Sequence, residues 1–309
     1  MLYTRRELGL LALAAVPGAS VLTRLDWQTA ATKSGKVDSR VAGVQIGLNV
    51  PYSFGNNLMS ADETLQRCVT LGVSGLELRS QPIEIFMGAP EAAFARGASD
   101  ADKEALRTWR VSAPVDKARE VRKKYEDAGV KIEVLKFDNI YKQPDDVTDY
   151  FFNLGHAVGA RALSCEMSLE DTKRLGQFAD KHGLMVGYHL HTEGTPQMWE
   201  TAFSYAKHNG ANVDIGHFTA GLNTSPVPFI KQHHDRITHV HIKDRKFKNG
   251  PNVPFGEGDT PIREVLQLLR DNKWPIQATI EFEYPVPAGS DRMAEIAKCI
   301  QFCRSALSS

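Results

Sequence analysis

The sequence predicts a single-domain (β/α)8 barrel, and three observations carry that prediction. From residue 41 onward, eight short runs rich in β-branched and apolar residues alternate with longer helical patterns, the signature of parallel strands joined by right-handed crossovers. Eight such units in about 260 residues match the usual size of a closed eight-stranded barrel. No glycine-rich phosphate fingerprint follows the first run, which argues against an open, doubly wound sheet.

The strand runs in order are VAGVQIGLNV (41–50), GVSGLELRS (72–80), GVKIEVLKFD (129–138), GARALSCEMS (159–168), GLMVGYHLHTE (183–193), GANVDIGHF (210–218), ITHVHIKD (237–244) and IQATIEFEY (276–284). Between them lie stretches with helix start and stop signals. SADETLQRCVTLG carries a Ser-Ala-Asp-Glu start and ends at Gly72, and APVDKAREVRKKYEDAG has a proline near its start and ends at Gly129. QPDDVTDYFFNLGHAVG, SLEDTKRLGQFADKHG, PQMWETAFSYAKHNG, TPIREVLQLLRDNKW and the closing RMAEIAKCIQFCRSAL complete the alternation. Residues 81–112 are too many for an ordinary connection and are expected to form a lid or a subunit contact over the active face. A second long loop, RKFKNGPNVPFGEGDT (245–260), follows the seventh run.

Hydrophobic residues at 42% and charged residues at 24% are ordinary globular values, which excludes a disordered chain. The 37 basic and 37 acidic residues cancel, so no global field draws the protein to nucleic acid or anionic lipid. Cys68, Cys165, Cys299 and Cys303 are too few and too spread for a disulfide scaffold. Cys299 and Cys303, four apart in a helical stretch, suit helix packing. At the N-terminus, Arg5 and Arg6 precede an apolar run from Leu8 to Leu22 that is shorter than the ~20 residues of a spanning helix. This segment resembles a twin-arginine export signal. Residues 1–31 are accordingly read as a signal with cleavage after Ala31, and 32–309 as the barrel domain. The expected location is periplasmic or extracellular, with no stable membrane insertion once the signal is removed.

The carboxyl ends of all strands in a parallel barrel converge on one mouth, where catalytic groups sit. In HVHIKD, alternation puts His239 and His241 on one strand face and Val240 and Ile242 on the other. The neighbouring runs finish in the same chemistry: Glu166 in the fourth, His189, His191 and Glu193 in the fifth, Asp214 and His217 in the sixth, Lys243 in the seventh, Glu281 and Glu283 in the eighth. Carboxylates brought this close repel unless a cation sits among them, so a divalent metal is the natural partner. Mixed carboxylate and imidazole donors suit Mn, Mg, Co or Zn.

These residues carry a resemblance to the sugar phosphate isomerase/epimerase family, the xylose isomerase-like TIM barrels. The motifs are YHLHTE (188–193), DIGH (214–217), HVHIKD (239–244), GEGD (256–259) and IEFEY (280–284). Carried over position by position, the resemblance implies Asp214, His241 and Glu281 as metal ligands, with Glu283 the nearest rival to Glu281. Epimerases of the group place a glutamate in the fifth strand, where this chain has Tyr188 and His189; the dehydratase-like branch shares the histidine-rich strand. Glu166 is therefore expected as the fourth ligand, with His191 as its substitute. His189, His191, Lys243 and Glu283 are expected to do the proton chemistry, His239 to support the site, and His217, Glu77 and Lys136 to bind substrate.

A divalent metal bound to a carbonyl and its neighbouring hydroxyl acidifies the adjacent C–H by stabilising the enediolate. Returning the proton to the other carbon gives an isomerase, to the opposite face an epimerase, and expelling a β-leaving group gives a lyase or dehydratase. The expected function is a metal-dependent sugar isomerase or epimerase. The alternatives are a 3-keto-glycoside lyase, hydrolase or dehydratase of the same fold, and a non-catalytic sugar-binding protein. No arginine cluster or glycine-rich nest in the motifs offers a phosphate site, so a free sugar, keto-sugar or glycoside is the expected substrate. Apurinic endonucleases share the barrel, but balanced charge gives no stripe for DNA. Homo-oligomers are common among relatives, and no motif here specifies one.

Overall fold

Residues 35–309 are described by a computed structural model; the segment read as an export signal lies outside the described residues. The eight strands are β1 Val44–Val50, β2 Gly75–Arg79, β3 Lys131–Lys136, β4 Ala162–Glu166, β5 Met185–His189, β6 Asn209–Asp214, β7 Ile237–Ile242 and β8 Gln277–Ile280. Each pairs parallel with its neighbour in sequence, and β8 returns to pair with β1, closing the barrel. Period-two alternation divides the side chains. Leu76, Leu78, Val186, Val240 and Ile280 face outward into the apolar layer beneath the helices. Polar residues at 77, 189, 239 and 241 meet inside. Each fully buried Leu, Ile or Phe of the outer layer is worth roughly 1.5–3 kcal/mol, and this layer supports the polar interior.

The helices end as their sequences dictate. α1 (Ala61–Leu71) is capped by the Ser60 side chain, which accepts from the Glu63 amide, and stops at Gly72 in the left-handed region. α4 (Ala118–Asp127), α5 (Asp145–Val158), α6 (Thr172–His182), α7 (Pro196–Tyr205), α10 (Ile262–Asn272) and α11 (Arg292–Ser308) occupy the other expected stretches. All four cysteines are free and buried, Cys299 and Cys303 in the core face of α11.

Four further helices were not legible as such. α2 (Gln81–Met87) and α3 (Asp100–Val111) form the 81–112 segment. They are tied by a fully buried Arg110–Glu84 pair at 2.8 Å, to which Ser80 and Tyr150 also donate. α8 (Ile215–Leu222) begins where the sixth run was read as strand, and α9 (Val227–His233) follows it. The eighth run likewise leaves the sheet at Ile280, so Glu281 and Glu283 lie beyond the strand, on a segment heading into Pro285 and Pro287. No helix among the described residues is long and apolar enough to cross a membrane.

Candidate metal and substrate site

The DIGH motif is a strand end and a helix start in one. Asp214 ends β6 and caps α8, its Oδ1 accepting from the His217 amide at 2.7 Å. That bond fixes the carboxylate and leaves Oδ2 to face cationic neighbours, with Lys243 Nζ 3.0 Å away. Three further buried donors meet it there: His189 from the end of β5, His241 from β7, and Glu281 just past β8. One ligand-type atom from each of the four lies within 4.8 Å of every other. His241 Nδ1 is 3.2 Å from Glu281 Oε2 and 3.7 Å from Asp214 Oδ2. Two carboxylates and two imidazoles, all buried and with one donor atom each brought together, form a group that can hold a divalent ion in place of the protons and ammonium that now balance their charge.

A second layer orients these donors. Glu77, fully buried at an inward position of β2, accepts from His241 Nε2 at 2.5 Å and lies 3.3 Å from His239 Nε2. A carboxylate behind a ligating histidine sets its tautomer and ring orientation. Asn49 of β1 donates to Glu281 Oε1 at 2.7 Å. Asn212 of β6 has its amide nitrogen 3.0 Å from His241 Nε2 and 3.3 Å from His189 Nδ1, while its oxygen has no partner. Because His241 Nε2 already donates to Glu77, the carboxamide atom facing the rings must accept. A half-turn of the amide puts the oxygen there, a proton on His189 Nδ1, and leaves the other ring nitrogen of His189 for a ligand.

Lys243 is the counter-charge. Its ammonium is buried, 3.0 Å from Asp214 Oδ2, 2.6 Å from Glu281 Oε2, 2.6 Å from Glu283 Oε2 and 3.2 Å from His217 Nε2. Burial opposes its charge, but Asp214, Glu281 and Glu283 hold its pKa well above the usual lysine value. Asp214 and Glu281 are correspondingly held well below the carboxylate range. Burial opposes both, and the cations overcome it: Lys243 first for Asp214, His241 first for Glu281. His241 is raised well above 6.5, burial being outweighed by Glu281 and Glu77, whereas burial keeps His189 well below it.

The remaining predicted residues fall into two flanking groups. Glu166, half-exposed, lies 2.8 Å from Lys136 Nζ and 3.1 Å from His191 Nε2. It stays ionised against its burial through the His191 hydrogen bond, and that bond in turn raises the His191 pKa. Glu166 thus turns away from the four-donor group, and His189, its register partner on β5, takes the place expected of it. His191 packs face to face with His217, ring centroids 4.8 Å apart. On the other side Glu283 accepts from Tyr52 at 2.7 Å and Asn252 at 3.3 Å. It borders a cavity of about 470 Å³ with Tyr52, Asn57, Asn252, Phe282 and Arg292.

Three expected roles change with this geometry. Glu77 serves two histidines instead of a substrate, Lys136 is buried and paired with Glu166, and Lys243, expected to do proton chemistry, lies as a counter-charge among three carboxylates. Asn49, Tyr52, Asn212 and Arg245 were not singled out from the sequence. Arg245 is 2.7 Å from His217 Nδ1.

The charged end of HVHIKD also shapes the long loop after β7. Asp244, buried, accepts from the amides of Gly256, Gly258 and Thr260 at 2.8, 2.9 and 3.2 Å. A Cβ at Gly258 would meet Asp244 Oδ1 at 1.9 Å, which is why the GEGD turn needs glycine there. This clamp delivers Asn252 and Arg245 to the mouth.

Comparisons with known proteins agree with this architecture. The sequence profile of the xylose isomerase-like TIM barrel family matches residues 149–306. No curated protein matches the sequence. Among solved structures, a sugar phosphate isomerase/epimerase from Parabacteroides distasonis superposes with a TM-score of 0.59 at 17% identity, covering 86% of this chain and 97% of that one. The probable 3-DHS dehydratase AsbF of Bacillus anthracis gives 0.58 at 14%, with 84% and 99% covered. D-psicose 3-epimerase from Clostridium cellulolyticum H10, solved with D-tagatose, gives 0.56 at 12%, with 85% and 99% covered. At these identities the likeness speaks for the fold, and the profile, which spans just over half the chain, assigns the family. The chain is a member of the xylose isomerase-like TIM barrel family.

Proposed function

We propose that this protein is a divalent-metal-dependent enzyme that removes the proton beside the carbonyl of a sugar or keto-sugar, with His189, Asp214, His241 and Glu281 as ligands. The observation that carries the reading is the convergence of four buried donors from four consecutive strand ends, each held from behind by a second residue or by a helix cap. A metal bound there would act as a Lewis acid on the carbonyl oxygen.

The chain's own residues supply the rest. The Tyr52 ring with Asn57, Asn252 and Arg292 offers an apolar face and hydrogen-bonding groups to a sugar ring. His191 stands half-exposed at the mouth, backed by Glu166, and moves the proton. Glu283, held by Lys243, Tyr52 and Asn252, positions a substrate hydroxyl from the opposite side. Proton return to carbon makes the enzyme an isomerase or epimerase.

A second reading, elimination from a 3-keto-glycoside, is favoured by one feature. The Glu166 hydrogen bond raises the His191 pKa and so keeps a proton at the mouth for a leaving group. Under either reading, the paired arginines at positions 5 and 6 support a location outside the cytoplasm as part of the proposal.

The test is to incubate the full chain with Mn²⁺ and D-fructose, D-tagatose or a 3-keto-glycoside in D₂O, and follow the sugar by NMR. Deuterium entering beside the carbonyl, or a glycosidic bond breaking, is expected, and both should stop with EDTA or in His241→Ala. Metal-loaded protein that binds these sugars without exchange or cleavage would leave a sugar-binding protein instead.

A further inference from the structure

The cavity bordered by Glu283 carries on its wall a cation that no carboxylate of the described residues meets. Arg292, the first residue of α11, lines that cavity with Tyr52, Asn57 and Asn252. Its one hydrogen bond among the described residues runs from a terminal guanidinium nitrogen to the Ser53 carbonyl at 3.1 Å. The acids closest to it in the chain are committed elsewhere. Asp291 caps α11 by accepting from the Ala294 amide at 2.9 Å, and Glu295 accepts from Tyr284 and pairs with Lys298. Glu283, across the cavity, is held by Lys243, Tyr52 and Asn252.

An arginine without a partner is ordinary on an open surface, but this one is held in place. Its guanidinium carbon lies 5.0 Å from the centroid of the Phe282 ring. Gly55 lets it approach the backbone: a Cβ there would stand 3.2 Å from Arg292 Nε. The two supports are themselves tied, since the Phe282 amide donates to Ser53 Oγ at 3.2 Å. A guanidinium has five N–H groups, so most of the fork is left for a ligand. The neighbouring cations are spent: Lys243 on three carboxylates, Arg79 on Asp138, and Arg245 on the carbonyls of Asn249 and Gly250 and on His217.

The cavity also adjoins the metal site. Glu283 and the proposed ligand Glu281 have oxygens within 4.8 Å of each other, with the Lys243 ammonium 2.6 Å from both. A volume of about 470 Å³ there is within the range of small-molecule sites. One leftover guanidinium matches one negative charge, and its planar fork matches a planar group with two oxygens.

We propose that Arg292 recognises a carboxylate on the substrate, so that the sugar handled at this site is a sugar acid and not a neutral sugar. The proposal deepens the function proposed above and rests on it for the position of the reacting carbons.

The test is calorimetric binding to the full chain, with and without Mn²⁺, of two matched pairs: D-glucuronate beside D-glucose, and D-galacturonate beside D-galactose. D-glucose 6-phosphate is the anionic control. At least one acid is expected to bind about tenfold more tightly than its parent sugar. That gap should close in Arg292→Met, persist in part in Arg292→Lys, which keeps the charge and loses the fork, and narrow in 0.5 M NaCl. Circular dichroism checks that each variant is folded. A gap absent from both pairs, a gap that survives in folded Arg292→Met, or glucose 6-phosphate binding more tightly than either acid would overturn the proposal. Metal uptake is read on the same samples. A chain that takes up no Mn²⁺ would strike the proposed function, whereas acid and neutral sugars binding alike to a Mn²⁺-loaded chain would strike this inference alone.

Discussion

Lys243→Met is expected to destabilise the metal-free protein by about 3–5 kcal/mol while tightening its hold on a divalent cation. Among the described residues Lys243 is the only ammonium in contact with Asp214, Glu281 and Glu283, and all three contacts are 3.0 Å or shorter. Removing it leaves the buried Asp214 and Glu281 to share the charge of His241, and breaking one partner of a buried pair is far more damaging than the pair's own net worth. The same ammonium competes with any cation for Asp214 Oδ2 and Glu281 Oε2. Its removal therefore lifts that competition, and added Mn²⁺ should restore more stability to the variant than to the wild type. Urea unfolding with and without Mn²⁺ measures both effects. Equal stabilisation of the two proteins by Mn²⁺ would mean that Lys243 and the metal do not share a site.

Replacing Glu77 is expected to have the second large effect. Its two oxygens serve His241 and His239 in a fully buried pocket, so Glu77→Ala strands both rings and should cost about 3–5 kcal/mol. Glu77→Gln keeps the shape but loses the charge behind His241. Loss of such a supporting carboxylate typically lowers metal affinity about 10–100-fold. Glu77→Gln should fall in that range while retaining the wild-type fold, as read by metal titration beside urea unfolding. Unchanged metal affinity in a folded Glu77→Gln would make Glu77 a packing residue only.

Much of this site was legible because a parallel barrel forces strand ends together. Asp214, His241 and Glu281 stood out as metal-type residues at the ends of three consecutive runs, and the structure brings them within reach of one another. The choice between Glu166 and His189 was not legible. The two are opposite one another on adjacent strands, and only their neighbours decide: Lys136 and His191 draw Glu166 outward, while Asn212 holds His189 in. Glu77 looked like one polar residue in an apolar run, and its partners lie more than 160 residues away in sequence. The end of β6 was misread for a related reason. IGHF has strand-like composition, but an aspartate free to cap the amide three residues on starts a helix instead. The α2 and α3 helices were hidden because the length of 81–112 suggested a loop, whereas Ser99 and Asp102 form a capping box inside it.

The measurement that bears most directly on the account is equilibrium dialysis of the full chain against Mn²⁺, beside His189→Ala and Glu166→Ala. The account predicts one ion per wild-type chain, more tightly held at pH 8 than at pH 6, because His241 must give up a proton to ligate. It predicts uptake lost in His189→Ala and retained in Glu166→Ala. No uptake by the wild type, or loss in Glu166→Ala with His189→Ala unaffected, would contradict it.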